Sequence, residues 1–130
     1  MAHNIAAHYT DELQGWLKHI DLYNGEMFQL EEKLSDIIRR NSIPEIADKV
    51  EDEQHKLDTV RDKFYRLQLL ISHQEEMLRT DGSLIDDDKI SSETDRQQNE
   101  IREHMLETEK EYIQVKFNCQ EFIRDILKQY

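Results

Sequence analysis

"LQGWLKHIDLYNGEMFQLEEKLSDI", residues 13–37, decides the fold. Leu13, Ile20, Met27 and Leu34 recur every seven residues, and Trp16, Tyr23, Leu30 and Ile37 recur three places behind them. Alternating steps of three and four keep one stripe of a helix apolar, so four unbroken heptads predict a long helix with a single buried seam. "NG" at 24–25 is a hairpin signal in other settings. Here the seam holds its phase on both sides, so the helix is expected to run through it, with Gly25 costing about 1 kcal/mol relative to alanine.

Working outward, Thr10 followed by Asp11 and Glu12 suits an N-cap and an acidic first turn. The first helix is therefore expected over residues 10–41. "SIPE" at 42–45 reads as the next start: Ser42 as N-cap, Glu45 three residues on, and Pro44 in the first turn. Ile46, Val50, Leu57, Val60, Phe64, Leu67, Ile71 and Leu78 form the second seam, giving a helix over 43–80 that "TDGS" ends. Residues 81–91, "DGSLIDDDKIS", are expected to be a mobile loop without a seam to bury against. Ser91 or Ser92 then caps a third helix to residue 128, with Ile101, Met105, Tyr112, Val115, Cys119, Phe122 and Ile126 along its seam.

Composition agrees with long two-faced helices. Hydrophobic residues are 37% and charged residues 35%, leaner and more charged than a wide compact core requires. Three glycines and one proline are too few for the turns of a β-rich fold. The short first connection requires antiparallel neighbours. The expected fold class is all-α: an elongated antiparallel up-down-up three-helix bundle forming one domain over residues 1–130. That layout, with a tryptophan early in the first helix, resembles a spectrin-type repeat in architecture, and the resemblance carries no function with it.

A net charge of −12 disfavours nucleic acid and anionic membrane as partners. Cys119 is the only cysteine, which excludes an intrachain disulfide, and its place in a seam suits a small buried hydrophobe. "MAHNIAAHYT" lacks the basic and apolar regions of a signal peptide, and no stretch approaches the roughly 20 apolar residues of a membrane span, so the expected compartment is the cytoplasm.

The chemistry-bearing patterns are few. Asp52 and His55 stand three apart in "VEDEQHKL", half of the acid-x-x-His pattern of di-metal bundles, but the second seam turns both outward. Glu53 is the acid that falls on a seam. Antiparallel pairing places it opposite Glu31 on the first helix and near Asn118 on the third. It is either a polar layer that sets register or, with Glu31, a small acidic cation site. Gln74 is a second polar seam residue, and the same antiparallel pairing brings it near Gln97 or Gln98. In "DGSLIDDDKISSE", Asp86 and Asp88 have the first calcium-loop spacing, but Ile90 takes the next ligand place and the required glycine is missing. The chain contains no phosphate-cradling glycine loop, zinc-spaced Cys/His set or nucleophile elbow.

Off the seams, Leu106, Ile113 and Phe117 on the third helix and Tyr65 and Leu69 on the second suggest a contact surface. The expected function is a non-enzymatic bundle without catalytic residues or cofactor, acting through protein–protein contact with a partner or a second copy of itself as a homodimer. The alternatives are a metal-binding carboxylate bundle using Glu31 and Glu53, and an acidic mimic that binds a basic protein.

Overall fold

The structure is a computed structural model that describes residues 4–40 and 43–129. Its helices are α1 (Asn4–Arg40), α2 (Pro44–Met77) and α3 (Ser92–Gln129), packed together as an all-α three-helix bundle. Between α2 and α3 lie two short strands, β1 (Arg79–Thr80) and β2 (Ser83–Leu84), and a 3-10 turn, Asp87–Lys89. The fold divides into two compact units, and every helix contributes to both. The first unit is Met1–Asp21 with Phe64–Glu107; the second is Leu22–Lys63 with Thr108–Tyr130.

In the first unit, Ala6, Leu13 and Ile20 of α1 are buried with Phe64, Leu67 and Ile71 of α2 and Ile101 and Met105 of α3. α1 starts six residues before Thr10, so Thr10 is a helix-interior residue and not a cap. Ala6 lies seven before Leu13 and prolongs that seam by one heptad. The first turn of α1 contains no acid of its own. Asp87 supplies one from the distant loop, its Oδ1 accepting a hydrogen bond from the Ile5 amide at 3.0 Å. That amide is among the helix-terminal donors that lack an intrahelical partner, and the carboxylate also opposes the positive end of the dipole.

The expectation of a seamless loop over 81–91 is corrected. Asp81 and Gly82 both take positive φ, 53° and 79°, the geometry of a type I′ turn, and Arg79 and Thr80 pair antiparallel with Leu84 and Ser83. The Ile85 amide donates to the Leu78 carbonyl at 3.0 Å, one step beyond the strand pair. Leu78 and Ile85 are both buried, so the connection does contribute to a core. Ser91 caps α3: its Oγ accepts from the Thr94 amide at 3.0 Å.

In the second unit, Met27, Leu30, Leu34 and Ile37 are buried with Ile46, Val50, Leu57 and Val60 and with Tyr112, Cys119, Ile123 and Ile126. Pro44 is the first residue of α2, and the Ile43 carbonyl accepts from the Ile46 and Ala47 amides. The expected α1 end at Asn41 and the expected cap at Ser42 lie outside the described residues. Val115 and Phe122 are half-buried while Ile123 is buried, so the buried stripe of α3 advances by one residue near its end. A straight helix of 3.6 residues per turn lags a seven-residue repeat by about 20° per heptad, and moving from 122 to 123 restores the inward direction.

Candidate functional site

Polar groups are set into the core of the first unit as a connected layer. Gln74 of α2 donates through Nε2 to the Thr94 carbonyl and to Gln98 Oε1, both at 3.0 Å. Gln98 of α3 in turn donates to the Tyr9 carbonyl and to Glu12 Oε1 of α1, both at 3.1 Å. The Arg102 guanidinium closes the chain on Glu12, with Nε at 3.0 Å from one oxygen and Nη2 at 2.6 Å from the other. Both amide hydrogens of each glutamine are used, so the buried nitrogens are satisfied. Burial works against the Glu12 charge, but the hydrogen bonds from Arg102 and Gln98 outweigh it and hold its carboxyl below the ordinary glutamate value. Tyr9 donates to Asp95 at 2.7 Å, and that bond, with burial, raises its phenol.

The second unit uses phenol–carboxylate pairs between α1 and α3. Tyr23 donates to Glu109 at 2.6 Å, and Tyr112 donates to Glu26 at 2.5 Å. Lys116 Nζ lies 3.1 Å from the same Glu26, and the two phenol rings are 4.7 Å apart between centroids. Burial, then the Glu109 hydrogen bond, pushes the Tyr23 phenol up to about 12; Tyr112 is raised further by burial and by Glu26. Cys119 is buried, and burial followed by the field of Glu53 pushes its thiol up to about 11. A thiol held so high is protonated at neutral pH and is a poor nucleophile.

Glu53 is buried to 7% exposure, as its seam position requires, but its carboxylate turns to Lys56 on its own helix, Oε2 lying 3.0 Å from Nζ. Glu31 pairs with Arg61. The two acids named as a cation pair thus each have a cation of their own. Asp52 and His55 are exposed, and among the described residues no group of three or more His, Cys, Asp or Glu is arranged to hold a metal.

The apolar residues off the seams are at the surface. Tyr65, Leu69 and Leu106 in the first unit, and Ile113 and Phe117 in the second, are each more than half exposed. Leu22, Phe28 and Leu127 join them in the second unit. Leu22 and Phe28 were readable in the sequence as apolar residues outside the first seam. The structure does not gather the α2 and α3 residues of the first unit into one patch. Gln74 marks the edge of α2 that meets α3, and at about 100° per residue Tyr65 and Leu69 lie roughly 180° and 140° from it. On α3, Leu106 is one turn beyond Arg102, which reaches α1. Tyr65 and Leu69 therefore face away from the third helix.

Fold and surface together define an all-α three-helix bundle with a hydrogen-bonded polar layer in the core of its first unit, while Thr10 Oγ1 and Asn24 Oδ1 are buried without a hydrogen-bond partner among the described residues. Among the described residues, no helix is long and apolar enough to cross a membrane. Comparison with protein-family models, curated proteins and solved structures finds no match.

Proposed function

We propose that the chain is a non-enzymatic helical-bundle protein that works in the cytoplasm through protein–protein contact, by self-association or by docking a partner helix. The observation that carries this reading is the exposed pair Ile113 and Phe117, one turn apart on α3. Leu127 lies on the same side of that helix, within about 80° of Phe117 at 100° per residue. Single exposed apolar residues are ordinary, whereas large ones sharing a helix face are a recurrent basis for helix docking. The metal-carboxylate reading has less support because Glu31 and Glu53 already face cations. An acidic mimic rests on net charge alone.

The test is the molecular mass in solution, by analytical ultracentrifugation at high micromolar concentration, of the native chain and of Ile113→Lys combined with Phe117→Lys. The native chain should associate with itself or with a captured partner. The double variant should lose that association while its circular dichroism stays that of a helical bundle. A native chain that is monomeric and captures nothing through this face overturns the proposal.

A further inference from the structure

In the second unit a cavity of about 320 Å³ opens between α1 and α3, lined by Lys33, Asp36, Ile37, Arg40, Ile123, Ile126 and Leu127. Its size is at the lower edge of small-molecule sites, roughly 300–1,000 Å³. Ile37, Ile123 and Ile126 are buried apolar residues, and exposed Leu127 stands at the lip. Lys33, Ile37 and Arg40 follow at i, i+4 and i+7, one stripe of α1 with a cation on either side of an isoleucine. Asp36, the one acid of the lining, is occupied by Arg39. Lys33 and Arg40 form no ion pair with the described residues.

Two unpaired cations over an apolar floor are notable in a chain of net charge −12. Arg40 is in the last turn of α1, where a cation also complements the helix dipole. Lys33 is two turns upstream, beyond the reach of that effect, and places a second cation at the mouth of the cavity. We infer that this cavity is a binding site for a small amphipathic carboxylate, its aliphatic body on Ile37, Ile123 and Ile126 and its single negative charge between Lys33 and Arg40. A polyanion is a poorer fit, because the acidic chain repels it and its strongly hydrated head would have to give up water beside isoleucines. A cationic amphiphile meets the wrong charge.

The experiment is a titration of the full chain, labelled at isoleucine methyls, with decanoate below its micellar concentration, and in parallel with decan-1-ol and decylammonium. Decanoate should give saturable shifts at Ile37, Ile123 and Ile126, and should bind roughly tenfold more tightly than decan-1-ol, as two partly exposed charge contacts imply. Decylammonium should bind more weakly than the alcohol. Lys33→Gln combined with Arg40→Gln should remove the preference for decanoate while leaving decan-1-ol binding and the melting temperature nearly unchanged. The inference is overturned if decanoate gives no saturable shift, if the shifts centre on other isoleucines, if alcohol and carboxylate bind equally, or if the double variant keeps the preference.

Discussion

Glu12 and Glu53 are both carboxylates facing the interior of a helical bundle, and their surroundings give them opposite worth. Glu12 receives a two-point contact from Arg102 and a third bond from Gln98, and its carboxyl is held below the ordinary value. A folded-state value below the unfolded one, about 4.3, means the unfolded chain binds the proton first as pH falls. The stabilisation is thus complete above that pH and is lost as pH drops through the folded value. Urea unfolding of Glu12→Gln should show a clear deficit against the native chain at pH 6 and a much smaller one at pH 3. Among the described residues Glu53 is paired with Lys56 alone, whose own side chain is half exposed. A buried carboxylate with one flexible partner recovers little of its desolvation cost, so Glu53→Leu should be neutral or raise the melting temperature by a few degrees. A large loss on thermal unfolding would show that Glu53 has a further, specific role. The sequence marks Glu53 and Gln74 because a polar residue interrupts an apolar repeat, and register leaves Gln97 or Gln98 as the partner of Gln74, of which the structure has Gln98. The sequence does not mark Glu12 with Arg102, because residues flanking two seams ninety positions apart leave no periodic trace.

At the scale of elements, the helices were legible, the bounds of α3 and the Pro44 start of α2 among them, but the start of α1 and the end of α2 were not. The α1 seam reaches back to Ala6, but Thr10-Asp11-Glu12 has the chemistry of a helix start and masks that continuation. Local capping preference lost to burial of one more heptad and to a carboxylate arriving from elsewhere in the chain. Asp81-Gly82 is a strong hairpin signal whose flanks, Arg79-Thr80 and Ser83-Leu84, lack the apolar alternation that normally accompanies it. It was therefore readable as a terminator and not as a pair of strands. Asp87 links the two features, since it caps α1 from the segment after the hairpin. Asp87→Ala should cost about 0.5–1 kcal/mol, toward the lower part of the range for lost caps because the bond is exposed. Hydrogen exchange should quicken at the first turn of α1 while the core of α2 is unchanged. Equal exchange in both proteins would mean the cap contributes nothing in solution.

Across the whole molecule, acidity outweighs basicity by 29 residues to 17. Self-repulsion of such a surface disfavours the compact state, and salt screens it over a Debye length of about 10 Å at 0.1 M. The melting temperature should rise between low salt and near-physiological salt, despite weakening of exposed pairs such as Lys63 with Glu111. A fall would place the net effect on those pairs instead. Fold class and seams are periodic properties and could be read from one sequence. A docking face is defined by which flanks of neighbouring helices end up side by side, and Tyr65 and Leu69 show that being off the seam does not say which way a residue faces. The odd number of helices has a practical corollary. The described chain enters through the first unit and, after traversing both units three times, leaves through the second. Fluorophores attached at its two ends would accordingly report on different halves of the fold, and unequal unfolding of the halves would be visible as two signals from a single protein.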